Sequence, residues 1–252
     1  MGMTRWAFDR ASRLCARLSH VFLYAAGALT PLDDLREGVR RHWAPFDAPD
    51  ETPRLFSWEL PVVDRFISRG ERVLIVGCGS GRDVLALLER GCVVTGVDPA
   101  EQAIDRGRRR CAELGYSPTL DCAFFEDWAR DAVFDVCWFS WFAYGLIPGS
   151  RRRIDVLRKA ARHLAPGGRV VISYVNERIV SRAATLGRGI GNLLRRREWG
   201  LEEGDVIIRV PGTHVLTYEH RFTRDEIEAE ARAAALQPVY VADSIVVLVP
   251  IP

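Results

Sequence analysis

Between Arg72 and Tyr174 the chain alternates short apolar runs with longer segments in which apolar residues recur every three or four positions. A short continuous apolar run predicts a buried β-strand, and the three- to four-residue spacing predicts an amphipathic helix. Five strands are predicted in this way, over Val73–Val76, Val93–Val97, Thr119–Phe124, Phe134–Phe139 and Val170–Tyr174. Repeated alternation of strands and helices predicts an α/β fold with one mostly parallel sheet and helices on both faces.

The first part of the chain shows no such alternation. Residues 1–50 predict a helical extension that packs on the core, and Thr30 and Pro31 divide it into two helices, the second over Leu32–Trp43. Two prolines and three acidic residues predict a loop over Ala44–Thr52. Residues 51–252 are expected to form the remaining domain.

The first predicted helix is basic before it becomes apolar, because four arginines precede the stretch Val21–Leu29. That stretch is about half of the ~20 apolar residues that a spanning helix needs, so stable membrane insertion is not expected. Two interpretations stay open: an amphipathic helix that packs on the domain, and a segment that contacts a membrane surface or serves in targeting.

Beyond Val175 the alternation ends. An arginine-rich helical insertion is predicted at about 177–200, followed by strands near Val206–Arg209, His214–His220 and Val239–Val249. Thr223 with Glu226 is the capping-box pattern that opens a helix. We expect these strands to extend the same sheet.

Composition excludes some classes of partner and site. The formal net charge of +2 gives no global electrostatic reason to expect a nucleic acid or an anionic membrane. The six cysteines form no CxxC pair, which favours reduced thiols in a cytoplasmic protein over a disulfide or zinc framework. No spacing of His, Asp and Glu residues predicts a metal site.

The candidate chemistry lies where the first predicted strand ends. Gly77, Gly79 and Gly81 form a loop in which a ligand can lie against the backbone, and the second strand closes on Asp98. This β-loop-α-β-acid order is typical of a nucleotide-like cofactor site. The dinucleotide pattern GxGxxG is not met, because Arg82 stands where its third glycine would fall.

At these residues the sequence resembles the class I, seven-stranded S-adenosylmethionine-dependent methyltransferases. The resemblance covers most of residues 72–175, and its five motifs occur in the family's order: VLIVGCGSGRDVLAL, GVDPAEQAI, FFEDW, FDVCWF and LAPGGRVVIS. It implies a doubly wound, mostly parallel, seven-stranded Rossmann-like sheet. It also implies S-adenosylmethionine as methyl donor and S-adenosylhomocysteine as product.

The resemblance carries cofactor roles to positions of this chain. The loop from Gly77 through Cys78 and Gly79 to Gly81 would approach the methionine part, and Asp98 would accept both ribose hydroxyls, its alternative role being a helix cap. Pro99 would lie beside the adenine. Asp127, or less favourably Glu126, would accept from the adenine amino group, and Trp128 would lie on the ring. An ordinary solvated loop is the other interpretation of FFEDW.

The acceptor is less specified. The segment after the fourth strand, Phe139–Gly145, lacks the Asn/Asp-Pro-Pro-Tyr/Phe element of enzymes that methylate amino groups of nucleic acids, which favours a small-molecule acceptor. Tyr144, His214 and His220 are weak candidates for a general base, and each is a core or surface residue in the alternative interpretation. Four aromatic residues before the first strand are interpreted either as core or as a lid over a ligand: Trp43, Phe46, Phe56 and Trp58.

Three other functions stay open at this point. A sensor or scaffold could bind S-adenosylmethionine without transferring its methyl group. The arginine-rich insertion keeps an RNA-modifying methyltransferase open, although nucleic acid is not the expected partner. A nucleotide-dependent oxidoreductase would need the glycine that Arg82 replaces. The sequence does not indicate an oligomeric state.

Overall fold

The computed structural model describes residues 2–46, 54–178, 181–195 and 199–252. Much of the loop predicted over Ala44–Thr52 lies outside these residues, as do two short parts of the arginine-rich insertion.

Seven strands form one sheet in the order β3-β2-β1-β4-β5-β9-β8, in which β9 is antiparallel to both of its neighbours. This confirms the predicted doubly wound, mostly parallel α/β sheet. The strands are β1 Arg72–Val76, β2 Val93–Asp98, β3 Thr119–Cys122, β4 Phe134–Phe139, β5 Leu164–Ser173, β8 Leu236–Ala242 and β9 Ile245–Pro250.

Eight α-helices lie in the described part of the chain. They are α1 Gly2–Leu29, α2 Leu32–Trp43, α3 Leu60–Phe66, α4 Arg82–Glu89, α5 Glu101–Glu113, α6 Ser150–Arg162, α7 Arg182–Leu194 and α8 Arg224–Ala233, with a short 3-10 helix at Ala143–Leu146. The helix predicted over Leu32–Trp43 and the capping box of Thr223 with Glu226 are confirmed. The segment that forms α3 had no helical prediction.

The sheet separates two apolar layers because successive side chains of a strand point to opposite faces. In β1, Val73 and Ile75 join the layer under α3, α4 and α5, whereas Leu74 and Val76 join the layer under α6 and α8. All four side chains are buried, which is why β1 reads as a continuous apolar run.

Two predictions about the last third of the chain are wrong. The strands β6 Asp205–Arg209 and β7 Leu216–His220 pair only with each other, in a separate two-stranded sheet. The single strand predicted over Val239–Val249 is a hairpin of β8 and β9. The apolar pattern identifies strands but not their partners. Here two buried polar side chains of β7 contact helices, Tyr218 with Arg153 of α6 and His220 with Glu226 of α8.

The N-terminal helices contact the later insertion and this small sheet. Helix α1 packs chiefly against α7 and also touches β6, and α2 packs against β7. Tyr24, Leu35 and Tyr218 are buried together there in a third apolar cluster. Helix α2 is thereby held across the carboxyl-terminal edge of the large sheet. Among the described helices, none has the length and apolar character needed to cross a membrane.

Candidate functional site

The glycine loop connects β1 to α4 at the carboxyl-terminal edge of the sheet. Gly77, Gly79 and Gly81 all have positive φ angles, of 77°, 49° and 87°. A Cβ atom on Gly77 would lie 2.4 Å from the Cβ of Ala143, so the loop after β4 approaches the glycine loop too closely for a side chain. A Cβ atom on Gly79 would meet no protein atom within 4 Å, because the space beside it is the pocket.

Replacing Gly77 with alanine is expected to lower the free energy of unfolding by about 2–4 kcal/mol. The positive φ costs about 1 kcal/mol, and the overlap with Ala143 adds about 1–3 kcal/mol. Gly70→Ala is the matched control, since Gly70 has a φ of 84° but open space around it. Urea denaturation of both variants measures the difference. Equal losses of free energy of unfolding in the two variants would show that the overlap with Ala143 is relieved without an energetic cost.

Asp98 stands at the end of β2, beside this loop. Its Oδ2 accepts from the amide of Gly79 at 3.0 Å, and its Oδ1 accepts from the amide of Ala100 at 2.8 Å. Burial raises the pKa of the carboxyl group above its ordinary value, against the lowering effect of these two amides. Each oxygen keeps a second lone pair for a hydroxyl group in the pocket. The carboxylate is therefore fixed by the backbone and can still accept from a ligand.

One pocket joins these groups. Helix α2, the glycine loop, the end of β2, the segment after β3 and the segment after β4 each contribute to its wall. Its lining includes Arg36, Arg40, Trp43, Phe46, Gly77, Cys78, Gly79, Asp98, Pro99, Phe124, Phe125, Glu126, Ser140, Trp141, Leu146 and Pro148. The pocket lies outside the carboxyl ends of β1, β2 and β4, where ligands bind in open α/β sheets.

The lining offers the kinds of group that S-adenosylmethionine needs. Gly79 leaves backbone open for the methionine part, Asp98 offers two acceptors to a ribose diol, and Phe124 with Pro99 offers apolar surface to an adenine ring. Glu126 adds an acceptor to the lining.

Three of the predicted cofactor residues, Gly81, Asp127 and Trp128, lie away from the pocket lining. The Asp127 side chain is 64% exposed and pairs with Arg36. Trp128 is buried in the core, where its indole Nε1 donates to Asp121 Oδ2 at 2.9 Å. Glu126, the less favoured choice from the sequence, does line the pocket. The structure thus brings Gly77, Cys78, Gly79, Asp98 and Pro99 together in the lining but not Gly81, Asp127 or Trp128.

Arg82, which replaces the third dinucleotide glycine, is a buried structural cation. Its Nη1 and Nη2 donate to the two carboxylate oxygens of Glu59 at 2.8 Å each, and Nη1 also donates to the carbonyl of Arg54 at 3.0 Å. Its guanidinium carbon lies 4.3 Å and 5.0 Å from the ring centroids of Phe56 and Trp141. Sequence reasoning missed the partner Glu59, although a lone acid between Trp58 and the apolar start of α3 was a signal.

Of the aromatic residues before β1, Phe56 lies over this cation and Trp58 packs against the apolar layer under α3, α4 and α5. Phe46 and Phe56 each contact the ring of Trp141 edge to face, and Trp58 stacks on Phe142. Trp141 and Phe142 have φ angles of 38° and 64°, which is a strained conformation for aromatic residues. The contacts with Phe46, Phe56 and Trp58 hold these two rings in place, and Phe46 and Trp141 form part of the pocket wall.

The three candidate bases do not line the pocket. Tyr144 is fully buried, and its hydroxyl donates to Glu230 Oε2 at 2.6 Å. Burial raises the pKa of this hydroxyl well above its ordinary value, so it stays protonated. His214 is exposed in the turn between β6 and β7. His220 is buried between Asp205 and Glu226.

The His220 network also contains the one potential metal-binding group in the described residues, Glu202 with Asp205 and His220. A guanidinium already compensates the charge there, since Arg153 Nη2 donates to Glu202 Oε2 at 2.9 Å. Asp205 Oδ1 accepts from the Tyr218 hydroxyl at 2.6 Å. These contacts assign the group a structural role that joins the small sheet to α6.

His220→Gln is expected to destabilise the protein more at low pH than at high pH. Burial lowers the pKa of His220, but hydrogen bonds with Asp205 and Glu226 outweigh it and the pKa is raised. The charged imidazole therefore stabilises the folded state below about pH 6.5. This contribution is lost as pH rises through the higher pKa of the folded state.

Urea denaturation across pH 5–9 measures this effect. His214→Gln, in the exposed turn of the same hairpin, is the control and should show no such trend. A loss of stability that is equal at all pH values would contradict the charged state of His220.

The central part of the chain matches a known protein family. Residues 73–168 match the family described as "Methyltransferase domain". The ubiquinone biosynthesis O-methyltransferase of Idiomarina loihiensis is 34% identical over 114 residues, 44% of this chain and 45% of that protein. The 27-O-demethylrifamycin SV methyltransferase of Amycolatopsis mediterranei is 27% identical over 224 residues, 84% of this chain and 71% of that protein. The chain spans about half the length of most of the curated relatives it matches.

Solved structures share the fold. The CcbJ methyltransferase of Streptomyces caelestis superposes with a TM-score of 0.57 at 18% identity, covering 85% of this chain and 96% of its own. A methyltransferase from Methanosarcina mazei, described as S-adenosylmethionine-dependent, gives a TM-score of 0.59 at 18% identity over 75% of this chain and 94% of its own.

Proposed function

We propose that this protein transfers a methyl group from S-adenosylmethionine to a small-molecule acceptor, since residues 73–168 match the family described as "Methyltransferase domain". The observation that carries the proposal is the single pocket in which the glycine loop faces Asp98. When bound, S-adenosylmethionine supplies a methyl group on a positively charged sulfur. The carbon–sulfur bond breaks as the acceptor atom bonds to carbon, and S-adenosylhomocysteine leaves.

The residues of the pocket divide into a donor side and an acceptor side. On the donor side, Gly77 and Gly79 would hold the amino-acid part, Asp98 would accept from the ribose hydroxyls, and Glu126 would accept from the adenine amino group. Phe124 supplies an apolar surface for the ring. Because Asp98 is already fixed by two backbone amides, it needs no rearrangement to accept.

The acceptor side is aromatic and apolar. Trp43, Phe46, Trp141, Leu146 and Pro148 contribute to the wall. This composition favours a small molecule with a flat or apolar face. Two of the curated relatives are named for ubiquinone biosynthesis and for rifamycin, which supports a small molecule as acceptor.

The pocket performs its chemistry by positioning. No histidine or tyrosine is part of its wall among the residues described. An in-line displacement depends mainly on holding the acceptor atom, the methyl carbon and the sulfur in line, so alignment supplies most of the rate. An acceptor that loses a proton on methylation would release it to solvent or to another basic group of the same acceptor molecule.

A reduced environment is part of the proposal. The six cysteines are all free, and Cys15 and Cys122 are exposed. Exposed thiols persist where the surroundings are reducing, as in the cytoplasm.

The experiment that tests the proposal is turnover. The purified chain is incubated with S-adenosylmethionine and a set of phenols, catechols, amines and thiols, and S-adenosylhomocysteine is quantified together with the methylated product by mass spectrometry. We expect product with at least one aromatic acceptor. Tight donor binding without turnover on any acceptor would favour a sensor or scaffold instead.

A further inference from the structure

Helices α1 and α7 pack tightly side by side. A Cβ atom on Gly187 would lie 2.2 Å from the carbonyl oxygen of Val21, and one on Gly191 would lie 2.5 Å from the Cβ of Ala28. Position 187 therefore lies level with residue 21 and position 191 level with residue 28, so the two helices run in the same direction. Small residues permit this close approach.

Both helices expose apolar side chains on the same side of their contact. In a parallel pair that meets through Val21 and Gly187, the positions of Phe22 and Leu29 and those of Ile190 and Leu193 fall on one side, at 100° per residue. Besides Trp6, the exposed large apolar residues of the two helices are Phe8, Leu14, Leu18, Phe22 and Leu29 of α1 and Leu186, Ile190, Leu193 and Leu194 of α7. We call these nine residues the α1–α7 face. Leu193 is 85% exposed and Phe8 is 76% exposed.

The amino-terminal half of α1 has no tertiary packing in the described structure. Every residue from 5 to 20 is exposed. An isolated helix of this length is marginal in water, because most of the stability of a protein helix comes from packing of its apolar face. The helix therefore needs a surface against which that face can be buried.

The charge of the two helices indicates which kind of surface buries this apolar face. Gly2–Leu29 and Arg182–Leu194 contain six arginines and one acid, Asp9, which pairs with Arg13. Their net charge is thus +5, whereas that of the whole chain is +2. The balanced total conceals a basic region. A second copy of the chain would bring two such regions together and be repelled, whereas an anionic surface would be attracted.

We propose that the α1–α7 face lies on the surface of an anionic lipid bilayer, with α1 in the plane of the interface. Exposed apolar side chains beside arginines are the features that bind a helix to such a surface. Neither helix is long and apolar enough to cross the bilayer. The lipid surface would order α1 and bring the protein next to acceptors dissolved in the membrane.

Co-sedimentation of the full chain with lipid vesicles tests this proposal. One set of vesicles contains phosphatidylglycerol with phosphatidylcholine, and the other contains phosphatidylcholine alone. We expect binding to the anionic vesicles that weakens as salt is raised. Phe22→Ser with Leu193→Ser should weaken it about tenfold or more. The matched control is Val93→Ser with Val239→Ser, which changes two exposed valines outside the face and should leave binding unchanged.

A second pair of variants tests the charge. Arg10→Gln with Arg17→Gln should weaken binding about tenfold, and Arg109→Gln with Arg151→Gln, two exposed arginines outside the face, should not. Circular dichroism and affinity for S-adenosylhomocysteine verify that each variant is folded. Two results would overturn the proposal: no vesicle binding by the wild type, or a wild-type dimer in light scattering that Phe22→Ser with Leu193→Ser converts to a monomer.

Discussion

Arg153→Met is expected to lower the free energy of unfolding by about 3–5 kcal/mol, since it leaves buried carboxylates without their cation. Arg153 is fully buried. Its Nη2 donates to Glu230 Oε1 at 2.6 Å and to Glu202 Oε2 at 2.9 Å, and its Nη1 donates to the Tyr218 hydroxyl at 3.3 Å. Through these contacts one side chain of α6 joins α8, β7 and the segment before β6. Methionine keeps the apolar stem but none of the five donors.

Urea denaturation measures the loss, with Arg151→Met as the control because Arg151 is exposed on the same helix. The double variant Arg153→Met with Glu230→Gln should be less destabilised than the sum of its single variants, since Glu230 no longer carries an uncompensated charge. A loss below about 1 kcal/mol for Arg153→Met would indicate that water reaches the carboxylates or that they protonate at little cost.

Asp98→Ala is expected to weaken binding of S-adenosylhomocysteine tenfold or more. Loss of a hydrogen bond to a charged group costs about 1.5–3 kcal/mol, and the carboxylate could accept two from a ribose. The variant also removes the acceptor of the Gly79 and Ala100 amides, which loosens the glycine loop. Asp98→Asn keeps the size and one acceptor oxygen, so its affinity should fall between those of Asp98→Ala and the wild type.

Asp127→Ala is the control for that experiment and also decides between two interpretations of the same motif. The sequence favours Asp127 as the adenine acceptor, whereas the structure places its side chain outward, paired with Arg36, and places Glu126 in the pocket wall. We therefore expect Asp127→Ala to change affinity by less than about threefold, and Glu126→Ala to weaken it by about tenfold. Unchanged affinity in Asp98→Ala would refute the ribose role.

Local patterns predicted the fold wherever the cause of the structure is local. The run Val73–Val76 is apolar throughout because β1 is covered on both faces, and Thr223 with Glu226 caps α8 through neighbouring residues. The pairing of β6 with β7 apart from the large sheet was not predictable in this way. Tyr218 of β7 accepts from Arg153 of α6, 65 residues away in sequence, and such contacts leave no periodic signal.

The residues of the site likewise divide into those with a local cause, which were predictable, and those that depend on distant contacts, which were not. Gly77, Gly79 and Asp98 were predictable because a turn and a strand end fix them within one β-loop-α-β unit. Glu59, 23 residues before its partner Arg82, was not. Trp128 is an aromatic residue of the kind that can stack on an adenine ring. The sequence does not distinguish that role from the core position that Trp128 occupies. The choice between Glu126 and Asp127 depends on the turn of one loop, which composition does not specify.

The net charge of the whole chain was the most misleading guide to its binding partners. A total of +2 excludes a global preference for anionic partners, yet α1 and α7 concentrate arginines beside exposed apolar residues. The pattern of the first helix left a membrane-surface role open. The sequence did not indicate that α7 packs beside α1, through the contact of Gly187 with Val21. Charge is therefore better assessed for each surface than for the chain.

Isothermal titration of the purified chain with S-adenosylhomocysteine tests the central claim most directly. The pocket that joins Gly79, Asp98 and Glu126 predicts saturable binding at one site per chain, competed by S-adenosylmethionine and not by NADH. Absence of binding to either sulfur compound, or binding of NADH in their place, would contradict the account.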